Sequence, residues 1–212
     1  MFLSGNNWRY LTQGLLRTLI IAAAAVLMGT VLGFLVGGVR ASYDKNGGKL
    51  FRTKGANTIF AVINWLCRLY LTVIRGTPST VQLLIMYFII FGSSQNMMAA
   101  AIISFGVNSG AYVAEIVRSG IMSIPKGQME AGRSLGLNYA TTMRCIIIPQ
   151  AIKNILPAIG NEFITMVKET SIIQYLGISD LMYNNGIVIT ATYNPLPCYY
   201  ISAILYLLLN II

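Results

Sequence analysis

Apolar residues in this chain run in long blocks separated by short polar, basic segments. The hydrocarbon core of a bilayer takes about 20 apolar residues as helix. The first block, Leu15 to Val39, meets this with Arg17 as its one charge, near the outer edge. Gly29, Gly33 and Gly37 recur along it every fourth residue, a small-residue stripe that lets another helix approach closely. Asn57 to Phe91 is apolar but interrupted by Arg68, Arg75 and Gly76-Thr77-Pro78. A straight helix of that length would exceed roughly 50 Å, so the block makes either two crossings or one crossing preceded by an oblique, interfacial stretch. Met98 to Ile116 is the third block. A fourth opens at Pro149, which suits a first helical turn, and runs to about Glu169 with a kink expected at Pro157. Its polar content places it inside a bundle. A short amphipathic piece after Ser171 (Ile172, Ile173, Leu176, Ile178, Leu181, Met182) is expected at the outer surface. Pro195 and Pro197 interrupt the chain before a last apolar run, Leu196 to Ile212.

The charges between the blocks orient them. Arg40 to Gly55 carries Arg40, Lys45, Lys49, Arg52 and Lys54 around a single Asp44, and Arg118 to Lys153 carries Arg118, Lys126, Arg133, Arg144 and Lys153 against Glu130. Basic loops stay cytoplasmic. The chain between these two must then cross an even number of times, so Asn57–Phe91 crosses once and Met98–Ile116 crosses back. The expected architecture is an all-α integral membrane protein, one domain over 1–212 with five transmembrane helices, N-terminus out and C-terminus in.

Composition excludes the other classes. The chain is 56% hydrophobic and 10% charged, against roughly 25% charged in soluble domains; a soluble enzyme, a disordered chain and a disulfide scaffold are ruled out. A net charge of +9 would suggest nucleic acid in a soluble protein, but here the cations sit between apolar runs, and no nucleic acid is expected. Cys67, Cys145 and Cys198 lack metal-ligand spacing and there is no histidine, so no metal site is expected. Gly47-Gly48-Lys49 is followed by Leu50, where a phosphate loop needs Ser or Thr. The chain has no nucleotide site, cofactor or catalytic residue of its own to point to.

The segment from about 118 to 149 is the most informative. Pro125 can open a short helix and Gly136 can close it; Ala131, Gly132 and Ser134 between them keep its surface low, and Glu130 and Arg133 can pair across one turn. A second helical stretch, about Tyr139 to Ile148, leads into Pro149. Some 30 residues are spent where helix–helix connections usually take about 2–8. Two short cytoplasmic helices with small exposed side chains make a docking element.

Glu130-Ala131-Gly132, Gly136 and Ile146-Ile147-Ile148-Pro149 resemble the EAA signature of ABC-importer permeases: Glu-Ala-Ala, three residues, Gly, nine residues, Ile-x-Leu-Pro. Gly132 and Ile148 depart from it. Arg75-Gly76-Thr77-Pro78 with Gln82, Ala111 to Arg118, Gly127-Gln128 and Lys168-Glu169-Thr170-Ser171 are similar to the polar amino-acid (histidine, glutamine, arginine, cystine) branch of type I importers. The resemblance covers Trp8 to Ile178 and implies a multi-pass permease subunit of the bacterial cytoplasmic membrane. Its implied partners are a cytosolic ABC ATPase dimer that binds ATP and Mg, a second permease, identical or paralogous, an extracytoplasmic amino-acid-binding protein and a polar amino-acid substrate. ATPase coupling would fall on Glu130, Ala131, Gly132, Arg133, Gly136 and Pro149.

The pathway should show ionisable groups at membrane depth. Asn154, Pro157, Asn161, Thr165 and Lys168 share one helix face, with Glu162 beside it; Ser104, Asn108, Glu115 and Ser119 share another. A zwitterion needs an acceptor for its ammonium, which Glu162 can supply, and donors for its carboxylate, which Arg75 or Lys168 can supply. An internal ion pair between Glu115 and Arg118, or Lys168 and Glu169, is the competing use of these charges. The alternative function, a stand-alone secondary carrier or channel, predicts an internally symmetric repeat and no long docking loop.

Overall fold

A computed structural model describes residues 7–92 and 96–211. Among them the chain is helical, without strands: α1 Asn7–Lys45, α2 Lys54–Gly76, α3 Ser79–Ile85 continued by a π turn at Met86–Ile90, and α4 Met97–Met122. There follow α5 Lys126–Ser134, α6 Tyr139–Thr142 with a π turn at Met143–Ile147, α7 Ile148–Glu169, a 3-10 segment Thr170–Leu176, α8 Leu181–Thr192 and α9 Pro195–Ile211. By length and composition α1, α2 and α4 suffice to cross a membrane, and Ser79–Ile90 and Pro195–Ile211 are shorter apolar helices. Ile212, the end of the last expected span, lies outside the described residues. The chain forms two compact units: one from residues 1–28, 78–106 and 163–212, the other from 29–77 and 107–162.

The second unit is organised by the glycine stripe. A Cβ on Gly29 would lie 2.8 Å from Ser109 Cβ, on Gly33 2.5 Å from Val113 Cγ1, and on Gly37 2.5 Å from the Ala114 carbonyl oxygen. Each four-residue step along α1 is matched by a step in the same sense along α4, so the two segments run parallel, backbone against backbone, where any side chain would hold them apart. α2 closes over this pair through Leu71, packed on Ala111 and Ala114, and through the Tyr70 hydroxyl, which donates to the Val107 carbonyl.

In the first unit, Asp180 caps α8 by accepting from the Tyr183 amide at 2.8 Å. The Thr18 hydroxyl of α1 accepts from the Leu181 amide, and Asn184 Nδ2 donates to the Tyr10 carbonyl. Gly177 ends the 3-10 segment at φ 73°. Helix α8 is absent from the sequence-based expectation, which closes the amphipathic piece at Met182.

One proline expectation needs correction. Pro149 does not open a separate helix: α6, the π turn and α7 form one unbroken helical run. Pro149 cannot donate to the Cys145 carbonyl and crowds it; the ladder widens there, with the Ile148 amide donating to Met143. The break expected at Pro195 and Pro197 is present: α8 stops at Thr192 and α9 starts at Pro195. Both lie in the first turn of α9, where a missing N–H costs nothing.

Candidate functional site

The segment from Pro125 to Asn138, expected to be a docking element, is built from its two ends. Pro125, extended at ψ 141°, precedes α5. At the other end Gly136 takes φ 83°, its amide donates to the Arg133 carbonyl, and the Leu137 amide donates to the Gly132 carbonyl. This pair of bonds is a Schellman motif, which needs the left-handed residue that glycine supplies without strain. Asn138 then caps α6 by accepting from the Thr141 amide at 2.8 Å.

The two faces of α5 differ. Ala131, Ser134 and Gly136 are exposed, as are Glu130 and Arg133, and Leu135 is 79% exposed. Leu135 was not singled out in the sequence; its signal is an apolar residue between Ser134 and Gly136, where a helix stops. Gly132 is the exception among the small residues: it is buried, and a Cβ there would stand 2.5 Å from Thr142 Cγ2 and 3.3 Å from Ile146 Cδ1. The expectation that Gly132 lowers an exposed surface is therefore corrected; it lets α5 seat on α6. Beneath it Met129, Tyr139 and Ile146 pack on a core of Val117, Ile121, Ile124, Met143, Ile147 and Ile155. Asn46 Nδ2 donates to the Tyr139 hydroxyl at 3.0 Å. The element is thus tied to the ends of α1, α4 and α7.

A charged cluster lies in the same unit. Arg118 Nε donates to Glu115 Oε1 at 3.1 Å, and Arg118 Nη1 meets Asp44 Oδ2 at 3.1 Å. Arg40 Nη1 lies 3.6 Å from Asp44 Oδ1 and donates to Asn64 Oδ1 at 2.8 Å. Arg75 reaches Glu115 Oε2 at 3.8 Å and covers the Tyr112 ring, 5.6 Å from its centroid. Three guanidinium groups share two carboxylates; Arg75 is exposed and the other four groups are half-buried. Glu115 and Arg75, both pathway residues by sequence, are brought together here with Arg118.

The other pathway residues separate. Asn154, Pro157 and Asn161 are exposed along the first part of α7, and Asn154 Nδ2 donates to the Ser123 hydroxyl at 3.0 Å. Glu162 is buried, 9% exposed, as is Asn108 at 3%. In the first unit Thr165 and Lys168 are exposed, and Lys168 Nζ lies 3.5 Å from Asn210 Oδ1. Among the described residues no group of three or more histidine, cysteine or acidic side chains could hold a metal ion.

Residues 54–212 match the family described as binding-protein-dependent transport system inner membrane component. The arginine transport system permease protein ArtQ of Bacillus subtilis is 35% identical over 206 residues, covering 96% of this chain and 87% of the relative. A putative glutamine transport system permease protein GlnP of Rickettsia typhi is 38% identical, covering 92% and 87%. Among solved structures, an amino acid ABC transporter crystallised with histidines superposes with a TM-score of 0.84 at 37% identity, over all of this chain and 92% of that one. The MetNI methionine transporter, inward facing, shares the fold at TM-score 0.74 and 19% identity.

Proposed function

Starting from the membership of this chain in the family of binding-protein-dependent transport system inner membrane components, a multi-pass permease subunit of the cell membrane and not itself an enzyme, we propose that it carries a polar amino acid inward. Relatives named for arginine and glutamine transport support that cargo. The family implies a separate ATPase and a binding protein as partners. On this reading the ATPase is a cytosolic dimer that binds ATP and Mg, and a second permease, identical or paralogous, completes the pathway. Five crossings, with both basic loops in the cytoplasm, fit the parallel run of α1 and α4: two helices crossing in the same sense need an odd number of crossings between them.

The observation that carries the coupling role is the seating of α5. Its outer face offers Ala131, Ser134 and Leu135 to a cleft, with Glu130 and Arg133 at the rim. Its inner face is packed into the ends of three long helices. A push on this element is transmitted to α4 and α7 because a packed core does not deform continuously. A secondary carrier has no use for such a lever.

For the pathway, the exposed Asn154 and Asn161 of α7 supply hydrogen-bond partners for the cargo, with the buried Glu162 beside them as acceptor for its ammonium and Arg75 as donor to its carboxylate. On the same reading Asn108 and Glu115 of α4 belong to the pathway as well. The test is ATPase activity of the reconstituted complex, with its binding protein, against a panel of amino acids. A polar amino acid should stimulate turnover; no stimulation by any of them would defeat the reading. Glu162→Gln, which keeps shape and removes charge, should abolish most of that stimulation in a complex that still assembles. Unchanged substrate dependence would remove Glu162 from the pathway.

A further inference from the structure

The loop between α1 and α2, with the first residue of α2, carries three cations on a fixed frame. Lys49, Arg52 and Lys54 are all exposed. Asp44, the one acidic residue nearby, is engaged by Arg40 and Arg118 and does not offset them. The loop is pinned: the Phe51 amide donates to Asn57 Oδ1, and Asn57 Nδ2 donates back to the Phe51 carbonyl, both at 2.9 Å. The Phe51 ring stands edge-on to Phe60, 5.7 Å between centroids, yet Phe51 remains 48% exposed.

From this loop an apolar stripe leads away along α2. Ile59, Val62, Leu66, Leu69 and Val73 recur at steps of three and four and are each 46–64% exposed. The stripe contains no glycine, alanine or serine. That composition contrasts with the α1–α4 contact, where glycines allow backbones to meet; membrane helix pairs favour such small residues, and bulky aliphatic side chains favour lipid tails. A run of aliphatic side chains headed by fixed cations and an exposed aromatic ring has the form of one phospholipid: acyl chain, interface, anionic headgroup.

We propose that this groove-free face of α2 and the Lys49–Arg52–Lys54 loop together bind an anionic phospholipid of the cytoplasmic leaflet, phosphate on the cations and acyl chain along the stripe. The proposal rests on the cytoplasmic placement of this loop, which a reporter fused at Asn46 tests separately, so the two can fail independently.

The test is native mass spectrometry of the permease–ATPase complex titrated with phosphatidylglycerol and with phosphatidylcholine of matched chains. Phosphatidylglycerol should be retained preferentially, and the preference should fall by about fivefold per cation removed in Lys49→Gln, Arg52→Gln and the triple variant with Lys54→Gln. Leu66→Ser should weaken retention of both lipids. The control is Arg144→Gln with Lys153→Gln, two exposed cations of the other basic loop. Absence of a preference in the unmodified complex, its survival in the triple variant, or an equal loss in the control would each overturn the proposal. So would cross-linking of Leu66→Cys to a protein subunit in place of lipid.

Discussion

Gly132 occupies a place where the signature it belongs to carries alanine, and its surroundings explain the difference. Thr142 Cγ2 fills the space that an alanine methyl would take. Gly132→Ala should overpack this contact and cost about 1–3 kcal/mol, read as a lower melting temperature of the purified complex. Thr142→Ser removes Cγ2 and keeps the hydroxyl that donates to the Asn138 carbonyl. The double variant should therefore recover most of the loss; independent, additive effects would show that the two residues do not touch. A second residue, Asp180, lies in the connection between α7 and α9. It is buried, its Oδ2 has no hydrogen-bond partner among the described residues, and burial pushes its carboxyl up to about 6 despite bonds from backbone amides. The folded state thus holds the Asp180 proton more tightly than the unfolded chain does. Stability is fullest below the unfolded value near 4 and declines as pH rises to about 6. Asp180→Asn should flatten that part of the pH–stability profile, measured by thermal unfolding between those limits.

At the scale of elements, α5, with its proposed docking role, and the charged cluster make separate predictions. Leu135→Glu places a carboxylate on the most exposed apolar residue of the α5 end and should cut transport at least about tenfold, the equivalent of roughly 1.4 kcal/mol, with the subunit still inserted. Gly136→Val should do the same by straining the left-handed turn. Normal uptake by both would remove the docking role. In the cluster, Asp44→Asn leaves two guanidinium groups competing for Glu115. A loss of about 1.5–3 kcal/mol is expected for a hydrogen bond to a charged group, seen as a fall of several degrees in melting temperature. The sequence made α5 legible because its stop signals are local: Pro125, Gly136 and Asn138 each act within one turn. The side of α5 that faces inward was not legible, because Thr142 and Ile146 meet Gly132 only after a turn has been made. Likewise the Glu115–Arg118 pairing is a one-turn contact visible in the spacing, whereas Asp44, Arg40 and Arg75 join it from other helices.

At the scale of the whole molecule, apolar blocks and basic loops announced the helical class, and the glycine stripe announced a close contact without naming the partner or its direction. Helix α8 was hidden because its polar positions, Asn184 and Asn185, are buried and break the periodicity that a surface helix would show. Reporters at Asn46 and Asn138 should read cytoplasmic and one at Ser94, outside the described residues, external; the same side for Ser94 and Asn138 would refute the single crossing between the basic loops. The parallel pairing of α1 with α4 also has a consequence for biogenesis. A hairpin partner follows within a few residues of synthesis, but a parallel partner must wait for the intervening crossing. At about 5–20 residues per second, Val117 leaves the ribosome roughly 4–16 s after Gly37. For that interval α1 stands in the bilayer with its glycine groove uncovered, the state in which a membrane protease or an insertion chaperone meets it. In a pulse-chase, a nascent fragment ending at Phe91, before α4, should be cleared faster than one ending at Ile124, and Gly33→Leu should erase the difference by denying α4 its seat in the longer fragment.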